Sequence, residues 1–175
     1  MGGSVAISAL WKVMFMKEGI VNNLLGTNIN WLGDPKYALF TITLIDVWQF
    51  GSSMVLFFAA LKNVPKELYE AAQIDGTGKL KTFFNITLPM ISPIIFFNLV
   101  MQTINTIQNY SSAYVVTGGG PLMSTNVLAL KIYEDAFVKS NLGYASAESW
   151  LLFASLLALT GIIFATSKLW VFYND

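Results

Sequence analysis

The sequence predicts an all-α integral membrane protein, and three observations carry that reading. Of its 175 residues 55% are hydrophobic and only 11% charged, where a soluble domain carries about 25% charged residues. The apolar residues are gathered into runs long enough to cross a bilayer. The segments between those runs are polar and hold most of the lysines and acids.

Taken in order, residues 4–16 read as the end of an apolar helix whose beginning is missing, too short to cross a membrane alone. Residues 38–61 follow, 24 positions with Asp46 as the one charge, and at 1.5 Å per residue they can span a hydrocarbon core of about 30 Å. Residues 88–109 form a second complete span, with Pro89 and Pro93 placed where a helix begins. Residues 149–167 form a third, uncharged and rich in Leu, Phe, Ala and Ile. The expected architecture is one domain over 1–175: a bundle of about three complete transmembrane helices plus the truncated N-terminal one.

Among the polar segments 22–36, 62–87 and 110–148, only the second reads as helical in its own right. Pro65 suits a first turn, Glu67 and Glu70 lie near the positive helix end, and Gly76 precedes Lys79 and Lys81. This is the pattern of a short amphipathic helix on a membrane face.

Composition removes several function classes. Net charge is zero and histidine and cysteine are absent, so disulfides, the usual zinc, haem and iron–sulfur ligands and imidazole-based triads are excluded, and no cofactor is expected. All ten basic residues are lysines scattered singly, unlike the clustered footprint of a nucleic-acid binder. No basic residue precedes the first apolar run, so a secretory signal is not expected, and Ala6 stands where N-myristoylation needs Ser or Thr. Gly76-Thr77-Gly78-Lys79 lacks the phosphate-loop pattern, because Gln73 and Leu80 occupy the positions that require Gly and Ser or Thr.

The 62–87 segment carries the specific signal. It contains Glu70-Ala71-Ala72, three residues, Gly76, nine residues, then Ile86-Thr87-Leu88-Pro89. This resembles the EAA signature of binding-protein-dependent ATP-binding-cassette importers at every fixed position; the one departure is Thr77, where the family commonly has Ala. The resemblance implies that 62–87 is a cytoplasmic coupling loop whose helix docks on a separate ATPase, with Glu70, Ala71, Ala72, Asp75, Gly76, Leu88 and Pro89 as the coupling residues. The competing reading of the residues alone is an amphipathic helix that touches only lipid headgroups.

Thr117–Pro121, Ile132–Phe137, Gly143–Ala147 and Trp170–Tyr173 also resemble segments of carbohydrate permeases of the maltose and glycerol-phosphate type, so the likeness runs from residue 5 to 173. It implies a partial permease helix bundle in the bacterial cytoplasmic (inner) membrane with residues 62–87 and the C-terminus in the cytoplasm. Lysine asymmetry between loops is too even to decide that orientation unaided. The implied partners are ATPase subunits, a second permease subunit, an extracytoplasmic solute-binding protein and membrane lipid. Such subunits have six helices, so Met1 is expected to fall within the third and the upstream half to be missing.

Asn98, Gln102, Asn105 and Asn109 lie at i, i+4, i+7 and i+11, along one face of the 88–109 span. Amides are costly against lipid, so this face is expected to point into the protein or a wet cavity. Two readings fit: a sugar pathway, with Tyr110 or Tyr114 as an aromatic surface at its outer end, or interhelical glue. Asp46, about 12 Å into its span by helical rise, is a substrate or gating candidate with no lysine at comparable depth, or else a group that pairs with a partner subunit or sits nearer the interface. Three further readings remain open: a permease subunit of the same importer class for a non-sugar solute such as an amino acid or phosphate, which would share the signature loop, and an ion-driven secondary transporter or a membrane scaffold, neither of which accounts for it.

Overall fold

In the computed structural model, residues 2–49 and 51–172 are described, and all the regular structure among them is helical. Tyr173, at the end of the closing carbohydrate-permease-like segment, and Phe50, inside the 38–61 run, lie outside the described residues. The helices pack as two compact units, each built from separated stretches of chain.

The first unit comprises the chain through Gln49 together with Asn105–Leu156. Helix α1 (Gly2–Met14) is followed by a short α2 (Ile20–Leu25) and by α3 (Pro35–Trp48). Between α1 and α3 the polar connection is organised by Asn22, which is almost fully buried. Its amide nitrogen donates to the carbonyls of Lys17 (2.9 Å) and Ile29 (2.8 Å). Its oxygen accepts from Thr27 Oγ1 (3.0 Å), the Ile29 amide (3.3 Å) and Trp31 Nε1 (2.9 Å). One side chain thus supplies the bonds that a loop off the membrane helices cannot take from a ladder. Asp34 then caps α3 by accepting from the Lys36 amide (2.9 Å), with Pro35 in the first helical position.

Helix α8 (Ser111–Val116) sits against both α1 and α3. Ala113 and Val116 on α8 join Ile42 and Ile45 of α3 and Leu130 of α9 (Leu128–Tyr133) in the buried core. Lys12 of α1 donates from Nζ to the Val115 carbonyl of α8 at 3.1 Å. Beyond α8, the chain turns through Gly118 and Gly119, whose φ values of 60° and 82° favour glycine. Thr125 Oγ1 holds this loop by donating to the Gly120 carbonyl at 2.7 Å.

Helix α9 runs into a π-helical turn, Glu134–Val138, bearing an ion network. Asp135, almost fully buried, receives Lys131 (2.9 Å) and Lys139 (2.7 Å), each one helical turn away, and Lys131 also pairs with Glu148 of α10 (Leu142–Ser167). The hydrogen bonds from Lys139 and Lys131 pull the Asp135 carboxyl down to about 2.

The second unit comprises Gly51 through Ile104 and the chain from Leu157 onward. It holds α4 (Gly51–Lys62), α5 (Lys66–Ile74), α6 (Lys79–Thr82) and most of α7 (Leu88–Gln108), with a π-helical turn, Phe83–Thr87, joining α6 to α7. Pro93 lies inside α7 and has no N–H for the carbonyl of Pro89 four residues back. Ser92 Oγ donates to that carbonyl at 2.7 Å, replacing the missing donor. The same oxygen accepts from the Phe172 amide at 2.8 Å, fixing the C-terminal segment to α7. Phe96 packs edge-on to Phe164 and Trp170, with ring centroids 4.9 and 6.0 Å apart.

Among the described residues two helical runs, Lys79–Val116 and Leu142–Ser167, are long and apolar enough to cross a membrane, and α3 with α4, bent by 44°, makes a third only if the pair counts as one span. Where one unbroken run over 38–61 is expected, α3 ends at Trp48 and α4 begins at Gly51. The polar segments also hold more helix than their composition suggests, namely α2, α8, α9 and the first turns of α10. The reason is local satisfaction of polar side chains: Ser146 and Ser149 donate back to the Leu142 and Ala145 carbonyls (2.7 and 2.8 Å), and Glu148 is paired.

Asn22→Ala should lower the unfolding free energy by about 2–3 kcal/mol, because Trp31 Nε1 and two backbone carbonyls lose their partner together; thermal melts of the purified protein measure this. The depressed carboxyl of Asp135 contributes stability that is complete above the ordinary carboxylate range near 4 and is lost as pH falls through about 2. Melting midpoints of the native protein should therefore fall more steeply over that window than those of Asp135→Asn.

Candidate functional site

The 62–87 loop presents a small helix outward. Pro65 precedes α5, and Glu67 occupies its first turn near the positive end of the helix dipole. Gly76, at φ 66°, ends it: the Thr77 amide reaches the Ala72 carbonyl (2.9 Å) and the Gly76 amide reaches that of Gln73 (3.0 Å). This paired closure is a Schellman motif, which needs a left-handed residue at the glycine position. Tyr69 shares a 3.0 Å hydrogen bond with the buried Thr87 Oγ1, tying α5 to the turn that leads into α7. Leu88 and Pro89, at that junction, are partly buried.

Glu70, Ala71, Asp75 and Gly76 are exposed, whereas Ala72 is buried against its own chain. Of the two alanines, Ala71 alone is therefore offered outward. Apolar side chains flank it: Ile74 is 87% exposed and Leu80 78%. An exposed helix with an anion, a small residue and bare apolar groups is suited to receive another protein surface.

Of the amides on α7, Asn98 is buried and donates to the Ile94 carbonyl of its own helix (3.0 Å). Gln102 donates to Ser53 of α4 at 2.8 Å. Asn105 is exposed. Asn109, in the first unit with Asn105, donates to Asp46 Oδ1 (3.1 Å) and accepts from the Ser111 amide (3.1 Å) at the start of α8. Asp46 Oδ1 also accepts from Ser112 Oγ at 2.9 Å. Tyr110 stacks on Tyr133 with centroids 5.0 Å apart, while Tyr114 meets the same ring edge-on at 5.3 Å and is itself exposed.

Periodicity alone identifies the face on which these amides lie, but not their partners Ser53 and Ser112, which sit on other helices. The ion network of Lys131, Asp135, Lys139 and Glu148 was also missed, although the four-residue spacing of its first three members is a visible signal. Among the described residues, no group of three or more acidic side chains is placed to hold a metal ion.

Two of the solved structures that share this fold are transporters. A bacterial ABC transporter involved in import of the acidic polysaccharide alginate superposes with a TM-score of 0.79 over 94% of this chain and 60% of its own, at 21% identity. The alginate transporter in complex with its pentasaccharide-bound periplasmic protein gives 0.83 over the same shares, at 22% identity. Among sequence relatives, the probable ABC transporter permease protein YesP of Bacillus subtilis is 44% identical across 99% of this chain and 59% of its own length. The sulfoquinovosyl glycerol transport system permease protein SmoG of Agrobacterium fabrum is 38% identical across 82% of this chain and 48% of its own. The sn-glycerol-3-phosphate transport system permease protein UgpA of Pectobacterium atrosepticum is 36% identical across 90% and 55%. This chain thus spans about half to three-fifths of the length of these curated relatives. Residues 4–172 match the family described as binding-protein-dependent transport system inner membrane component, and with its long apolar helices and outward-facing loop helix the chain belongs to that family of membrane proteins.

Proposed function

We propose that this chain forms part of the transmembrane subunit of an ATP-driven importer for sugars or sugar derivatives, a transport component and not an enzyme. The observation that carries the reading is α5: the full signature spacing coincides with a short, Schellman-terminated helix whose outer face exposes Glu70, Ala71 and Asp75. Tyr69 and Thr87 connect this helix to α7, so a displacement of α5 is passed to a membrane-crossing element. A neighbouring ATPase supplies that displacement. In this reading the coupling loop and the C-terminus face the cytoplasm, the subunit crosses the membrane several times, and it works with a second permease subunit and an extracytoplasmic solute-binding protein. Relatives whose names specify sulfoquinovosyl glycerol and sn-glycerol-3-phosphate support a carbohydrate-type solute.

The proposed path residues are Asn98 and Gln102 in the second unit, and Asn105, Asn109, Tyr110, Tyr114 and Asp46 in the first. Sugar hydroxyls both donate and accept, as amides do. A second reading, structural glue, is favoured for two of the amides by particular bonds: Asn98 is satisfied within its own helix and Gln102 is held by Ser53. The exposed Asn105 is the member with bonding capacity to offer a solute.

Because the native chain contains no cysteine, Ala71→Cys gives a single attachment point. In the complete importer it should crosslink to an ATPase subunit; labelling of this cysteine from outside intact cells, with no ATPase adduct, would contradict the assignment. Asn105→Leu should reduce solute uptake about tenfold at unchanged membrane abundance, the equivalent of one hydrogen bond to substrate. Asn98→Leu should leave uptake within about twofold. Equal effects of the two variants on uptake would favour the structural reading.

A further inference from the structure

The loop after α8 contains a turn whose backbone does not suit its residues. The Ser124 amide donates to the Pro121 carbonyl at 2.9 Å, and the two residues between them, Leu122 and Met123, have φ values of 49° and 59°. Positive φ at both central positions is the pattern of a type I′ turn, a place for Asn, Asp or Gly. A large apolar residue is strained there. Leu122 and Met123 occupy it all the same, and they are 90% and 72% exposed.

That exposure means that no burial within this chain offsets the strain. Yet the loop holds the turn rigidly. Thr125, almost fully buried, donates from Oγ1 to the Gly120 carbonyl at 2.7 Å and shares a 2.7 Å hydrogen bond with Thr117 Oγ1. The Asn126 amide reaches the Met123 carbonyl at 3.2 Å. A Cβ on Gly119 would stand 3.4 Å from Leu130 Cδ2, so the loop is seated on the core of the first unit. Residues Thr117–Val127 include no charge. Fluid lipid adapts to any shape and gains nothing from a fixed, strained presentation. A structured protein pocket does gain, because side chains ordered in advance lose little freedom on docking.

We propose that the Leu122–Met123 turn is a rigid apolar knob that enters a pocket on the extracytoplasmic solute-binding protein when that protein docks. This inference rests on the function proposed above. With the coupling loop at the cytoplasmic face, one crossing run, Lys79–Val116, assigns the turn to the opposite face, where a solute-binding protein arrives. Exposed apolar groups mark interaction sites, and methionine is enriched in protein interfaces.

The test uses the complete importer in lipid nanodiscs together with its solute-binding protein. Leu122→Ser combined with Met123→Ser should weaken docking about tenfold, as expected for loss of an interface anchor. Leu122→Gly combined with Met123→Gly should weaken it as much, yet melt at or above the native midpoint, because glycine relieves the backbone. A lowered midpoint with unchanged docking would identify a purely structural turn and overturn the proposal. A photocrosslinker attached at Met123→Cys should give an adduct with the binding protein. An adduct with the second permease subunit alone, or quenching of a fluorophore at that cysteine by brominated lipid while the binding protein is docked, would also overturn it. If the native importer docks no solute-binding protein, the function proposed above fails together with this inference. If the native importer docks one and both double variants dock it equally well, only this inference fails.

Discussion

A polar group on a helix surrounded by lipid must find its partner inside the protein, since no water is present to replace one. Ser92 shows how far this requirement organises the second unit. Pro93 orphans the Pro89 carbonyl, the serine hydroxyl fills the gap, and the same oxygen then receives the Phe172 amide. One hydroxyl thereby keeps α7 helical across its proline and fastens the C-terminal segment, with Phe96, Phe164 and Trp170 packed beside it. Thr103 and Ser155 meet the same demand more simply, donating to carbonyls one turn back on their own helices (2.7 and 2.8 Å).

Where the chain leaves its long helices, the same requirement is met by concentrated hubs. Asn22 serves five groups in the connection between α1 and α3. Asp135 and its lysines pin the turn after α9 to α10 through Glu148. The 62–87 loop differs in kind: its helix is attached through Tyr69 and Thr87 and otherwise turns its charged and apolar side chains outward. That contrast, tight connections elsewhere and an exposed α5, is what the proposed coupling role requires.

The parts legible in the sequence are those determined within a few residues. α5 and its termination at Gly76 follow from a glycine at the closure position, and the long apolar runs announce α7 and α10. The amide periodicity puts Asn98, Gln102, Asn105 and Asn109 on one face of the expected 88–109 span, but α7 ends at Gln108 and their roles diverge because Ser53, Asp46 and Ser112 come from elsewhere in the chain. α8 and α9 were hidden because six-residue helices leave no periodic trace, and their stability comes from packing on Ile42 and Ile45. The seven-residue earlier start of α10 escaped composition because its serines bond back to the helix and its acid is neutralised by Lys131, a residue seventeen positions away.

The π-helical turn at Phe83–Thr87 has a further meaning for the joint between α5 and α7. There the Leu88 amide bonds to the Phe83 carbonyl, five residues back rather than four. Such a turn accommodates one residue beyond the α-helical count. Each residue of an α-helix advances the azimuth by about 100°, so reverting this turn to α-helical pairing would rotate whatever lies on one side of it about the axis of α7. In the proposed coupling role, the joint thus offers a rotational coordinate of α7, separate from any tilt, on which displacement of the loop would act.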